Sequence, residues 1–339
     1  MEKIRLIGMT LEELRRVCSE CGLPGFAAKQ IARRLYVNRA ESIDEMTELS
    51  LKGRQRLNES YCVGRKAPKA QALSSDGTLK ALFDGRGGRD VEAVFIPDHD
   101  RATLCVSSQA GCKMGCRFCM TGRQGFHGNL DSADIINQIL SIPGSEELTN
   151  IVFMGMGEPM DNLPEVLKAI EVLTAPWGMA WSPKRITVST IGKIPELKQL
   201  LELTKVHIAI SVHSPLSAER AELMPVERVW PVERVIDLLR NYDFAHQRRL
   251  TLEYIMWRGI NDDIAHADAL ARLVRGVDCR VNLIRYHALP DSDLQTASER
   301  TMIAFRDRLN EKGVTATIRA SRGEDIQAAC GMLAGEAKK

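Results

Sequence analysis

The 339-residue sequence predicts an α/β protein, a largely parallel sheet flanked by helices, with a small helical segment in front. From about residue 103 onward, strand-like apolar runs alternate with stretches of helical period in six β-α units. Residues 10–60 read as helices from their apolar spacing. The composition, 44% hydrophobic and 27% charged, is that of an ordinary globular chain and argues against disorder. The length suffices for one large domain and a smaller accessory one.

Thr10, with Glu13 three residues later, has the pattern of a capping box opening TLEELRRVCSECG, which Gly22 would end. FAAKQIARRLYVNRA follows at helical spacing. Residues 1–70 carry 14 Lys/Arg against 9 Asp/Glu, a net +5 that leaves −3 for the rest of a chain of net charge +2. A basic leading segment suits contact with nucleic acid or, equally, a solvated helix face. Residues 71–97 change character: SSDG, DGRGG and DVEAVFIP read as short strands and tight turns.

The expected strands of the repeating part are TLCVSS, NIVFMGM, RITVST, VHIAISVH, LTLEYIM and RVNLIRY, with TATIR as a last one. SADIINQIL, LPEVLKAIEVL, PELKQLLEL, PVERVIDLLRNY and IAHADALARLV are the expected helices. Pattern alone leaves open a partial barrel or a doubly wound sheet. In either, ligands gather at the carboxyl ends of the strands. Glycine-rich GMGEP, then STIG, SVHSP and RYHALP all follow strands directly. No apolar run of about 18 residues occurs, and Met1–Thr10 lacks a signal-peptide core, so a cytoplasmic protein with no membrane attachment is expected. No heptad demands self-association, and a monomer is expected.

Four of the nine cysteines fall between Cys105 and Gly122. Cys112, Cys116 and Cys119 are spaced C-x3-C-x2-C, so three thiolates can converge on one inorganic centre. In the cytoplasm such clustering means metal or catalysis more often than disulfides. Structural zinc would require a fourth ligand, for which Cys105 and His127 are the nearby options. An iron–sulfur cluster held by three thiolates would keep one position open for chemistry.

C-x3-C-x2-C after the first strand of a β-α repeat resembles the signature of the radical S-adenosylmethionine (SAM) superfamily. CVSSQAGC, CRFCMTGRQGFHGNL, FMGMGEPMDN, SVHSP and RGEDIQAACG, in order from Glu92 to Gly331, resemble the RNA adenine methyltransferases of the RlmN and Cfr type. The resemblance implies a radical SAM partial (βα)6 barrel over residues 98–331. It also implies a helical, RNA-contacting accessory domain over 1–70, a β-strand extension over 71–97 and a tail over 332–339. Cys112, Cys116 and Cys119 would hold a [4Fe-4S] cluster whose fourth iron chelates SAM, and a flavodoxin-like protein would donate the electron. Two SAM are implied per turnover: one methylates Cys330 at sulfur, and the other supplies the radical that removes a hydrogen from that methyl group. The carbon radical would add to adenine, Glu92 would accept the ring proton, and Cys105 would attack Cys330 to release methylated RNA and leave a disulfide. A thiolate is a strong nucleophile, and release by exchange needs a second thiol within reach.

For SAM, the resemblance assigns Gly157, Glu158, Ser189, Ser211, Val212, His213 and His287. His287 departs from the family pattern, which has asparagine at this place, so a backbone contact would survive the change and a side-chain contact is in doubt. Without the resemblance, Cys330 would read as a small buried apolar residue and Glu92 as a solvent-facing strand carboxylate. Cys18, Cys21, Cys62 and Cys279 read as packing residues. The implied substrates are 23S rRNA and tRNA, modified at adenine C2. Methylation at C8, the Cfr activity, is the alternative, and a non-catalytic zinc-containing RNA-binding protein is the alternative from a different class.

Overall fold

A computed structural model of the chain describes residues 3–246 and 248–334. The expected tail therefore falls mostly outside the described residues, as do Met1, Glu2 and Gln247.

The amino-terminal part comprises β1 (Ile4–Arg5), α1 (Leu11–Glu20), α2 (Ala27–Tyr36), α3 (Leu51–Ser60) and β2 (Tyr61–Cys62), with β1 and β2 paired in parallel. The capping box forms: Glu13 N donates to Thr10 Oγ1, and Thr10 N donates to the Glu13 carboxylate at 2.8 Å. Leu14, Val17 and Cys18 bury one face of α1, and Ile31 and Leu35 one face of α2.

The sheet follows with β3 (Ala70–Leu73), β4 (Leu79–Phe83), β5 (Val91–Asp98) and β6 (Arg101–Cys105). Next comes an insertion formed by β7 (Gln109–Gly111), α4 (Met120–Arg123) and β8 (Phe126–Asn129). The repeat then runs α5 (Ser132–Ser141), β9 (Asn150–Phe153), α6 (Leu163–Thr174), β10 (Ile186–Thr190), α7 (Ile194–Leu203) and β11 (His207–Ser211). It continues with α8 (Ser217–Leu223), α9 (Val232–Leu239), β12 (Leu250–Met256), α10 (Ile264–Leu273), β13 (Arg280–Arg285), α11 (Glu299–Glu311) and β14 (Thr315–Ile318).

Ten strands form one sheet in the order β14-β13-β12-β11-β10-β9-β6-β5-β4-β3. From β6 to β14 every neighbouring pair is parallel, and β3 to β6 pair antiparallel. The edge strands β3 and β14 do not pair with each other, so the sheet is an open, partial barrel with its strand carboxyl ends on one rim. Its central strands bury apolar residues such as Ile151, Phe153, Val188, Ile208, Ile210, Leu252 and Leu283, while polar residues on the same strands, Ser189, Ser211 and Glu253 among them, line a cavity at the rim.

Two contacts fix the site's surroundings. Arg5 reaches Asp131 and Asp134 at the start of α5, both at 2.7 Å. Beside it, Gly8 adopts φ +81° with the space for a Cβ already taken by Ala133 N at 2.3 Å, so the helical segment docks closely on the barrel. At the other end, the segment after β14 crosses the open side. Asp76 accepts from Gly323 N at 2.9 Å, Asp325 accepts from Ser74 Oγ at 2.6 Å, and Arg322 pairs with Asp98 at 2.9 Å.

Candidate active site

The cysteine loop projects from the rim between β7 and β8. Its start is pinned by Cys112 N donating to Gly125 O at 2.9 Å, and Cys119 caps α4. All three loop cysteines face one cavity of about 150 Å³ at the carboxyl ends of the strands. Burial pushes the Cys112 thiol up to about 12 and the Cys116 thiol far above its ordinary value, and Cys119 is raised for the same reason. Cys116 is raised further by the two neighbouring thiols. Three crowded, desolvated thiols ionise together only against strong positive charge, which an iron–sulfur cluster supplies. Neither Cys105 nor His127 lines the cavity, so neither stands with the three loop thiols as the fourth ligand a structural zinc would need. The donor set fits a cluster on three thiolates.

Around the same cavity stand Gly157 and Glu158 after β9, Ser189 on β10, Ser211 on β11 and His213 behind it. Gly157 has φ +96°, and a Cβ there would lie 2.5 Å from Gln109 Cβ. The turn thus excludes every other residue twice over. Glu158 is buried, with its carboxylate accepting from Thr190 Oγ1 at 2.5 Å and from Ile191 N and Met160 N, each at 3.1 Å. Burial outweighs these bonds and lifts it to about 7.

His213 is held at φ +58°, a costly conformation for a non-glycine residue. Ile255 N donates to its Nδ1 at 3.0 Å, and Asn261 Nδ2 donates to its carbonyl at 2.6 Å. With Nδ1 accepting, a neutral ring carries its proton on Nε2. Burial and the Arg220 charge depress it to about 3, so the ring is neutral at ordinary pH. Val212 does not line the cavity; its amide donates to Glu253 O and its carbonyl accepts from Arg220 Nε.

Cys330 is exposed at the cavity wall rather than packed inside, which removes the plain reading of it as a small core residue. Gly331 O accepts from Met120 N at 2.8 Å and Leu333 O accepts from Thr121 Oγ1 at 2.7 Å, fastening this segment to the cysteine loop. Cys105 is buried at the end of β6, where desolvation pushes its thiol up to about 12 and the nearby Cys330 raises it further. Arg319 mediates between the two: it lowers Cys105, and its Nη1 lies 3.8 Å from Cys330 Sγ. Two thiols 225 positions apart in sequence thus share one half-buried guanidinium.

Glu92 and His287 stand apart. Glu92 is 1% exposed, not solvent-facing, because β5 is covered on both sides. It does not line the cavity; Lys80 Nζ lies 2.8 Å from its carboxylate, which also accepts from Ala334 N at 2.7 Å. His287 bonds Ser321 Oγ at 3.1 Å and lines a neighbouring cavity of about 380 Å³ that shares Arg319 and Cys330 with the first.

Three residues that pattern reading missed complete the site. Glu253 was visible as a lone carboxylate inside the apolar LTLEYIM, and Arg319 as a charge at the end of TATIR. Arg220 gave no such signal. It is fully buried and donates to the carbonyls of Ile191, Ser211 and Val212 and to the Glu227 carboxylate, tying together the two turns after β10 and β11.

A partial barrel with a three-cysteine loop at its rim defines a radical SAM enzyme. Residues 106–271 match the model of the radical SAM superfamily, and residues 4–63 match that of the ribosomal RNA large subunit methyltransferase N-terminal domain. A probable dual-specificity RNA methyltransferase RlmN from Phocaeicola vulgatus is 56% identical over 98% of this chain and 95% of its own. A dual-specificity RNA methyltransferase RlmN from Syntrophus aciditrophicus is 43% identical over 99% and 98%. Among solved structures, a radical SAM methyltransferase from Sphaerobacter thermophilus superposes with a TM-score of 0.92 at 37% identity, covering 98% of this chain and all of that one. The chain belongs to the RlmN family of radical SAM RNA methyltransferases.

Proposed function

We propose that this enzyme methylates C2 of an adenosine in 23S rRNA, and of the tRNA adenosine 3′ of the anticodon, through a methylated Cys330. The observation that carries this reading is the pair of thiols outside the cysteine loop, Cys330 at the cavity wall and Cys105 buried behind it, both acting on Arg319. A methyltransferase that moved a methyl group directly from SAM to RNA would have no use for such a pair. Adenine C2 is a poorly nucleophilic carbon, and a protein-bound sulfur provides a way to deliver a carbon radical to it. The names of the relatives, dual-specificity RNA methyltransferases, and the large-subunit rRNA domain at residues 4–63 support the two RNA classes.

Cys112, Cys116 and Cys119 would hold the [4Fe-4S] cluster. When bound, cluster and SAM supply the 5′-deoxyadenosyl radical. The turns at Gly157, Glu158, Ser189, Ser211, Val212 and His213 would seat SAM, with His287 behind Ser321 at the edge of that set. Cys330 carries the carbon, Glu92 takes the ring proton, and Cys105 attacks the Cys330 sulfur so that the methylated base leaves as a disulfide forms. Because Glu92 is occupied by Lys80 and Ala334 N, this role requires the carboxyl-terminal segment to shift when RNA binds.

On the same reading, residues 1–70 form an RNA-contacting domain, 71–97 a β-extension and 98–331 the catalytic core. The net +5 of the first suits phosphate contact. Two SAM per turnover, a flavodoxin-like electron donor, a monomeric state and a cytoplasmic location belong to the same proposal; no described helix is long and apolar enough to cross a membrane. Nucleoside mass spectrometry on RNA treated with anaerobically reconstituted enzyme tests it. The expected product is 2-methyladenosine. An 8-methyladenosine product, or a colourless zinc protein with no product, would refute it.

A further inference from the structure

Glu253 holds a buried carboxylate whose hydrogen-bonding capacity is half used. It sits on β12, is 5% exposed and lines the cavity that the three loop cysteines share. Its Oε1 accepts from Asn282 Nδ2 at 3.0 Å, and Asn282 is oriented in turn by Thr317 Oγ1, which donates to its Oδ1 at 3.2 Å. Its Oε2 has no hydrogen-bond partner among the described residues. Buried acceptors are almost always satisfied, and a locked one left open marks the place of an incoming donor.

Opposite stands a donor with the same surplus. Arg319 is half-buried, its charge acts on Glu253, and its side-chain N–H groups meet only the sulfurs of Met154 at 3.9 Å and Cys330 at 3.8 Å among the described residues. Arg319, Cys330 and Ile284 form the wall common to the cysteine-lined cavity and the neighbouring one of about 380 Å³. Asn282, the residue that locks Glu253, lines that second cavity.

We infer that Glu253 and Arg319 together read the N6/N1 edge of the target adenine, which enters through the second cavity. Glu253 Oε2 accepts from the exocyclic amino group, and the Arg319 guanidinium donates to the adjacent ring nitrogen. This order of acceptor and donor fits adenine and opposes hypoxanthine or guanine, whose O6 and N1–H present the reverse. Arg319 lies beside Cys330, so a base read on this edge holds C2, bonded to N1, on the side of the sulfur that must reach it. The inference rests on the adenine reading proposed above.

The test is a two-by-two comparison of wild type and Glu253→Ala on RNA carrying adenosine or purine riboside at the target position. Purine riboside lacks the amino group. Wild type is expected to favour adenosine by about 10- to 100-fold in kcat/KM, the range for a hydrogen bond to a buried charged group. In Glu253→Ala that ratio falls to about one, while affinity for S-adenosylhomocysteine stays within about twofold of wild type. A loss common to both RNAs, as poor folding would cause, leaves the ratio readable, and the wild-type ratio needs no variant. A wild-type ratio near one, or a ratio that persists in Glu253→Ala, overturns the inference. So does a loss confined to S-adenosylhomocysteine binding, which would assign the pair to the cofactor's own adenine. An 8-methyladenosine product would refute the C2 proposal yet leave this comparison intact.

Discussion

Arg220→Met tests the idea that the cofactor turns are held by a buried charge. The side chains of Arg220 and Glu227 are 0% and 1% exposed. Removing the guanidinium leaves the Glu227 carboxylate desolvated, with Val232 N at 2.9 Å as its remaining donor among the described residues. Breaking a buried pair from one side costs about 3–5 kcal/mol. The carbonyls of Ile191, Ser211 and Val212 lose a donor as well, at about 1–3 kcal/mol for any that stays dry. Against a typical total stability of about 5–15 kcal/mol this is a severe loss. Urea unfolding at pH 7 should show a fall of at least ~3 kcal/mol. The double variant Arg220→Met/Glu227→Gln, which no longer buries a lone charge, should recover part of it. Because the same guanidinium joins the turns bearing Ser189 and Ser211, SAM affinity should fall in both. A cost below ~1 kcal/mol, or a double variant no more stable than the single one, would show that the buried charge does not hold these turns.

The two outer thiols should fail differently. Intact-protein mass spectrometry should find no methyl group on Cys330→Ala, whereas Cys105→Ala should accumulate covalently joined to RNA; identical free, unmodified RNA from both would defeat the division of labour. Gly157→Ala should abolish measurable SAM binding while circular dichroism stays native in form, since a Cβ at φ +96° meets Gln109 at 2.5 Å; retained affinity would show that the turn is not a cofactor contact. Acid should loosen the carboxyl-terminal segment. Burial works to raise Asp76, but bonds from Gly323 N, Thr78 and Ser74 outweigh it and hold the carboxyl well below its ordinary range; bonds from Ser74 and Ser75 depress Asp325 likewise. Both folded values lie below the unfolded ones, so the clamp is complete above about pH 4 and is lost as pH falls further. Proteolysis by pepsin near residues 320–330 should rise across that range, and Asp76→Ala/Asp325→Ala should show the same cleavage at pH 7 with a neutral protease. A pH-independent cleavage rate would count against the clamp.

Much of this architecture is legible in the residue order because its cause is local. Strand–helix alternation, the Thr10 capping box and the glycine-rich turns each depend on neighbours within a few positions, and each expected strand of the repeat is present, most of them shortened by one to three residues. The elements passed over have local reasons too. The helix Glu299–Glu311 buries just Met302, Phe305 and Leu309, and Ser217–Leu223 is two turns long. The β7–β8 hairpin is hidden by glycines and by the cysteine loop it carries.

The tight C-x3-C-x2-C spacing already brings Cys112, Cys116 and Cys119 to one cavity, since a short loop cannot hold them apart. Nothing comparable joins Cys105 to Cys330, or Glu253 and Arg319 to either. Those meetings depend on an open barrel whose missing side is crossed by the segment after β14, clamped by Asp76 and Asp325 and fastened to the cysteine loop through Gly331 and Leu333. Glu92 shows the same dependence from the other direction: its strand alternates like a surface strand, yet lies between two others under the carboxyl-terminal segment and is buried. Chain order settles which residues stand close in a loop or turn; burial, and encounters across two hundred residues, follow from which surfaces the closed fold leaves facing each other.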